Sequence, residues 1–149
     1  MGAVIILHIA RVRVYYEDTD AGGIVYYANY LRFFERARTE WLRTLGVEQG
    51  RLRTTDGVGF VVRDCAMQYL HPARLDDEIE ITVGIETIER DIRRASMRFV
   101  QRATRVFDAT ALVSGTVRVA CVWHASNRPA PIPDWLLDRM RTLPAGSTT

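Results

Sequence analysis

Between residues 26 and 45 the apolar positions recur with a helical period. Leu31, Phe34, Ala37, Trp41 and Leu45 fall three or four apart, and Tyr30, Phe33 and Leu42 widen the stripe. This spacing predicts one long amphipathic helix, with Asn29 as a candidate N-cap and Gly46 as its C-cap. Glu35 with Arg38, and Arg36 with Glu40, are spaced to pair on its outer side. Elsewhere the period is two. Residues 11–16 alternate basic with apolar or aromatic side chains, as a strand does. Residues 47–57, which hold Asp56-Gly57, read as a connecting loop. Strand patterns then follow at 60–70, 79–85, 95–100 and 111–123, and their short polar links predict an antiparallel meander. Pro129, Pro131 and Pro133 end it, residues 134–141 form a short terminal helix, and residues 144–149 make a tail. A long apolar helix followed by an antiparallel sheet predicts an α+β chain with the sheet wrapped around the helix. The last strand is apolar on both faces, which predicts a homo-oligomer.

Composition narrows the function. At 149 residues, 48% of them hydrophobic and 26% charged, the chain reads as one globular domain, residues 1–149. All 20 basic residues are Arg, as an Arg-biased genome would give, and the net charge of only +2 argues against a nucleic-acid partner. Cys65 and Cys121 lie in strand-like runs with no metal-ligand spacing. They are expected to be buried, reduced thiols of a cytoplasmic protein with no metal and no cofactor. Residues 1–10 are apolar without a positively charged leader and run straight into the first strand. No stretch reaches the roughly 18 apolar residues a membrane helix needs, so no membrane insertion is expected.

The chemistry concentrates in residues 16–30, Tyr-Glu-Asp-Thr-Asp-Ala-Gly-Gly-Ile-Val-Tyr-Tyr-Ala-Asn-Tyr. Two acids precede two glycines at the mouth of the long helix. Gly22 and Gly23 let the backbone come close to a ligand. The first amides of the helix have no partner within it and point outward with a partial positive field. Acyl-transfer hydrolysis needs a group that attacks or activates water, and donors for the developing oxyanion. Asp20 can supply the first. It could equally bond its own loop amides, as Asp before small residues often does. His71 and His124 have no Ser or Cys partner in a recognisable motif and read as surface or interface residues, and Ser114 lacks the elbow of a serine hydrolase.

This block, with Glu35-Arg36-Ala37-Arg38 behind it, resembles the signature of the hotdog-fold acyl-CoA thioesterases of the 4-hydroxybenzoyl-CoA thioesterase superfamily. The resemblance extends through residues 60–63, Tyr69, residues 72–77 and residues 116–122, roughly residues 11–125 in all. It is nearest to the branch associated with the Tol–Pal cell-envelope system. It implies a hotdog fold, an acyl-CoA substrate hydrolysed to free acid and coenzyme A without a metal, and homodimers or homotetramers with sites at the subunit interface. The catalytic acid then falls on Asp20, and the amide that polarises the thioester carbonyl falls on Tyr27. Gly23, Ile24 and Val25 would border the substrate, and Arg93 and Arg94 would meet the coenzyme A phosphates. That branch usually carries His after the Val-Tyr pair. This chain has Tyr27, so no imidazole relay is available there.

The resemblance leaves open whether Asp20 attacks the carbonyl or activates water. A hotdog dehydratase would need a catalytic His, and none lies near Asp20 in sequence. The alternative of another class is a non-catalytic acyl-CoA-binding or envelope-complex interaction module.

Overall fold

The computed structural model describes residues 4–89 and 95–142. Five strands form one antiparallel sheet: β1 (Ile5–Arg13), β2 (Val58–Tyr69), β3 (Glu78–Glu89), β4 (Ser96–Arg105) and β5 (Ala111–Trp123). Three helices join them, α1 (Asn29–Thr44), α2 (Gln49–Asp56) and α3 (Asp134–Thr142). The spatial order is β1-β3-β4-β5-β2. β3, β4 and β5 follow one another as the expected meander. β2 does not belong to it. Val58 to Tyr69 pair with Trp123 to Val113 on the far edge, because β1 already occupies the place beside β3, from Ile5↔Ile85 to Arg13↔Glu78.

α1 runs against the sheet with Tyr30, Phe33, Phe34, Ala37, Arg38, Trp41 and Leu42 buried. Gly115 of β5 lies beneath it. A Cβ there would stand 3.1 Å from the Phe34 ring and 2.5 Å from the Met67 sulfur, so glycine permits this close approach. Gly46 closes the helix at φ 79°, with its N–H on Arg43 O and that of Val47 on Leu42 O.

Several expectations for this region are corrected. Asn29 is the first helical residue rather than the cap, and its side chain reaches back to Asp18. Leu31 is 40% exposed. Arg38 makes no surface pair with Glu35, because position 38 shares the buried stripe with Phe34 and Trp41. Glu35 accepts the Thr39 hydroxyl instead, and Glu40 pairs with Arg43 rather than Arg36. Residues 49–56 are helical, not loop, although only Leu52 of α2 is buried; Gly57 ends this helix at φ 71°.

The apolar end of β5 is partly covered by the chain's own proline-rich segment. Trp123 N–H donates to Arg128 O and Ala130 N–H to Cys121 O. Uncovered apolar surface lies on both edge strands, with Val61, Val62 and Tyr69 exposed on β2 and Ile5, Ile6 and Ile9 on β1. Cys121 is buried, and burial pushes its thiol up to about 11. Cys65 on β2 is exposed, against expectation, because the edge strand carries little above it. No described helix is long and apolar enough to cross a membrane.

Candidate functional site

Residues 19–25 form a tight hairpin. Thr19 and Val25 bridge, and Asp20 N–H donates to Ile24 O at 2.8 Å. Gly23 turns it at φ 81°, a conformation other residues adopt only under strain. Asp20 is exposed, and its Oδ1 accepts the N–H of Gly22 at 2.8 Å and of Ile24 at 3.4 Å. The loop bonding weighed at the sequence level is therefore present, but it occupies one oxygen. Oδ2 has no protein partner among the described residues. A Cβ on Gly22 would stand 3.2 Å from Oδ1, so this glycine also keeps room for the carboxylate.

The other arm of the hairpin leads to the start of α1. Val25 is buried and donates its N–H to Ala73 O, and Ile24 bridges Arg74. These contacts dock residues 72–77 under the loop. Arg105 secures them in turn, through Pro72 O and the Asp77 carboxylate at 3.3 Å each. Tyr26 N–H donates to Asp18 O, and Asn29 N–H to Tyr26 O. The N–H of Tyr27 lies between them and has no acceptor among the described residues. A half-free carboxylate on the hairpin is thus followed, two residues beyond the hairpin's end, by an unused backbone donor. Arg93 and Arg94 lie outside the described residues.

Two residues to which the sequence assigned no role in the site hold this geometry. The Asn29 side chain donates to Asp18 O at 2.8 Å, the same carbonyl that receives Tyr26 N–H. With its main-chain bond to Tyr26 O, Asn29 fixes the peptide that carries the Tyr27 N–H. Replacing it with Ala is expected to lower kcat about tenfold with KM unchanged, since small displacements of a positioned donor are costly. Steady-state kinetics on the folded variant check this. The second residue is Tyr69, whose hydroxyl donates to Tyr27 O at 3.1 Å and whose ring meets the Tyr27 ring edge-on.

Tyr69 also packs against Tyr30, which is 3% exposed. Burial pushes the Tyr30 phenol up to about 12 from its ordinary 10, while the Ala73 backbone offsets part of the rise. The folded state therefore keeps this proton where the unfolded chain has lost it. Its contribution is intact below pH 10 and is lost as pH rises from 10 towards 12. The loss amounts to about 2–3 kcal/mol. Denaturant unfolding across that range should show a larger loss in the wild type than in Tyr30→Phe, which keeps the same-signed contribution of the buried Cys121 thiol.

Among the described residues, no group of three or more His, Cys, Asp or Glu side chains is arranged to hold a metal. The family described as the thioesterase-like superfamily matches residues 14–140. The acyl-CoA thioesterase YbgC of Haemophilus influenzae is 46% identical over 82% of this chain and 85% of its own length. The acyl-CoA thioester hydrolase YbgC of Escherichia coli O6:H1 is 45% identical over 82% and 87%. A probable thioesterase of Bartonella henselae has a crystal structure that superposes with a TM-score of 0.76 at 30% identity, covering 88% of this chain and 100% of that one. With its α+β hotdog fold and these matches along most of its length, the chain belongs to the thioesterase-like superfamily.

Proposed function

We propose that this protein hydrolyses acyl-CoA thioesters to a free acid and coenzyme A at the Asp20 hairpin. One observation carries the reading: Asp20 has one oxygen fixed by Gly22 and Ile24 and the other free, on a hairpin followed two residues beyond its end by the unbonded N–H of Tyr27. The relatives named as acyl-CoA thioesterases supply the substrate class. In the reaction, the thioester oxygen takes up the Tyr27 N–H, and the partial positive charge at the start of α1 steadies the developing oxyanion. Asp20 then acts in one of two ways. It attacks the carbonyl, expelling the coenzyme A thiolate and leaving a mixed anhydride that water opens, or it takes a proton from water as that water attacks.

In this reading Gly23, Ile24 and the Tyr27 ring border the substrate, and Val25 supports them from the core. Arg93 and Arg94 contact the coenzyme A phosphates. A second copy pairs along the free edge of β2, which covers Val61 and Val62 and brings two sites to one interface. Two unpaired cysteines, one of them exposed, agree with a reducing cytoplasm.

The test is release of free thiol from a panel of short, long and aryl acyl-CoAs, with binding measured in parallel. Turnover supports the proposal. Measurable binding with every ester intact would replace it with the non-catalytic module.

A further inference from the structure

Arg38 is the one charged residue among those classed as buried in the described structure, at 9% exposure, and it has no carboxylate within ion-pair distance there. Its Nη1 donates to Gln101 Oε1 at 2.9 Å, and its Cζ lies 5.9 Å from the centre of the Phe99 ring. Gln101, fully buried, is committed: its Nε2 donates to Phe34 O at 3.1 Å and to Thr82 O at 3.4 Å. The guanidinium therefore retains donors with no acceptor among the described residues. Buried charges are ordinarily paired, because desolvating one without a counter-charge costs several kcal/mol.

Those donors border a cavity of about 140 Å³. Its walls combine Leu42, Phe60, Val62, Met97 and Val119 with the polar Thr39 and Gln49, and Arg38 is the cationic group among them. A volume of this size accommodates a group about as large as benzene. Glu35, Thr39 and Gln49 also line it; Glu35 attracts the Arg38 charge, but it is exposed and water weakens that attraction. The cavity lies on a stripe of α1 that starts where the chain leaves the hairpin. Leu31, Glu35, Arg38 and Leu42 fall on this stripe, and Tyr27 precedes it. Tyr27 and Leu31, 60% and 40% exposed, give it an apolar open end.

We propose that the acyl group lies along this stripe and that Arg38 receives a carboxylate at its far end, so that the preferred substrates are coenzyme A monothioesters of dicarboxylic acids. A carboxylate matches the planar fork of a guanidinium and supplies the missing counter-charge. A methyl end would leave Arg38 as it is, with no such gain.

This rests on the thioesterase reading and is tested by matched pairs on the wild-type protein: succinyl-CoA against butanoyl-CoA, adipyl-CoA against hexanoyl-CoA, and sebacyl-CoA against decanoyl-CoA. In at least one pair kcat/KM for the carboxylate ester should be about tenfold higher or more, the usual weight of a charged hydrogen bond. Arg38→Met should erase that preference while still hydrolysing the methyl-ended ester, and Arg38→Lys should keep part of it. Equal rates within every pair, an unchanged preference in Arg38→Met, or a stronger preference for 6-hydroxyhexanoyl-CoA would overturn the proposal. Calorimetric titration of the wild type with adipate and hexanoate gives a readout that needs neither turnover nor a stable variant. Tighter binding of adipate upholds the site even if no ester is hydrolysed. Equal or absent binding of both refutes it, as when a second copy's carboxylate already fills the place.

Discussion

Asp20→Asn should release coenzyme A at a rate lower by a factor on the order of 10² or more, with the thermal midpoint unchanged. The two halves of this expectation come from the two oxygens. Asn retains a carbonyl oxygen at Oδ1 to accept the Gly22 and Ile24 amides, so the hairpin keeps its turn. The side chain is exposed, so little packing is disturbed. What changes is Oδ2, which becomes an amide nitrogen that can neither attack a carbonyl nor take a proton. Asp20→Glu separates charge from placement: it keeps the carboxylate but moves it by a methylene, and it should also lose most turnover. Asp18→Asn is the control. Asp18 Oδ2 accepts Tyr15 N–H at 2.9 Å, a bond the amide oxygen of Asn can replace, and this variant should stay active. Thiol release by Asp20→Asn at near-wild-type rate would remove Asp20 from the chemistry.

The part of this site that was legible in the sequence is the part made of consecutive residues. Asp20 and the two glycines sit on one hairpin and Tyr27 on the short link from it to α1, so reading along the chain is enough to place them together. The elements with a clean period were legible for a similar reason: α1, β3 and β4 each bury one face, and burial is what periodicity records. β5 is legible as an apolar run, buried on both faces from Val119 to Val122. β2 has the composition of a strand, but its neighbour is not written in it. Its place beside β5 follows from β1 taking the edge beside β3. α2 was missed because a helix that buries only Leu52 leaves almost no apolar stripe. Arg38 was misplaced by a local rule. Spacing from Glu35 suggests a surface pair, whereas spacing from Phe34 and Trp41 puts the same residue inside, and the acceptor that settles it, Gln101, is 63 positions away. The Asn29 clamp was hidden in the same way. Asn at a helix start suggests a cap, yet its partner is a carbonyl eleven residues earlier.

Trp41→Ala should cost about 3–5 kcal/mol of stability, a large share of the 5–15 kcal/mol typical of a domain. Trp41 is fully buried in the last turn of α1 and meets Phe99 edge-on at 5.8 Å, so truncation opens a cavity and ends an aromatic pair. Trp41→Phe should behave very differently from what its lost volume suggests. The Trp41 Nε1 is buried and has no hydrogen-bond partner among the described residues. An unmet donor of this kind costs about 1–3 kcal/mol, and Phe removes it while keeping a ring against Phe99. The lost volume and the relieved donor then largely offset, leaving a change of about 1 kcal/mol or less. Urea unfolding of both variants decides it. Phe99 also carries the Arg38 guanidinium on its ring, so the two substitutions should differ in the cavity as well. Trp41→Ala frees Phe99 to move and should weaken adipate binding, whereas Trp41→Phe holds the ring in place and should leave that binding intact. If Trp41→Phe were as destabilising as Trp41→Ala, the indole N–H would have to be satisfied in solution, and the packing at this point of α1 would differ from the one described.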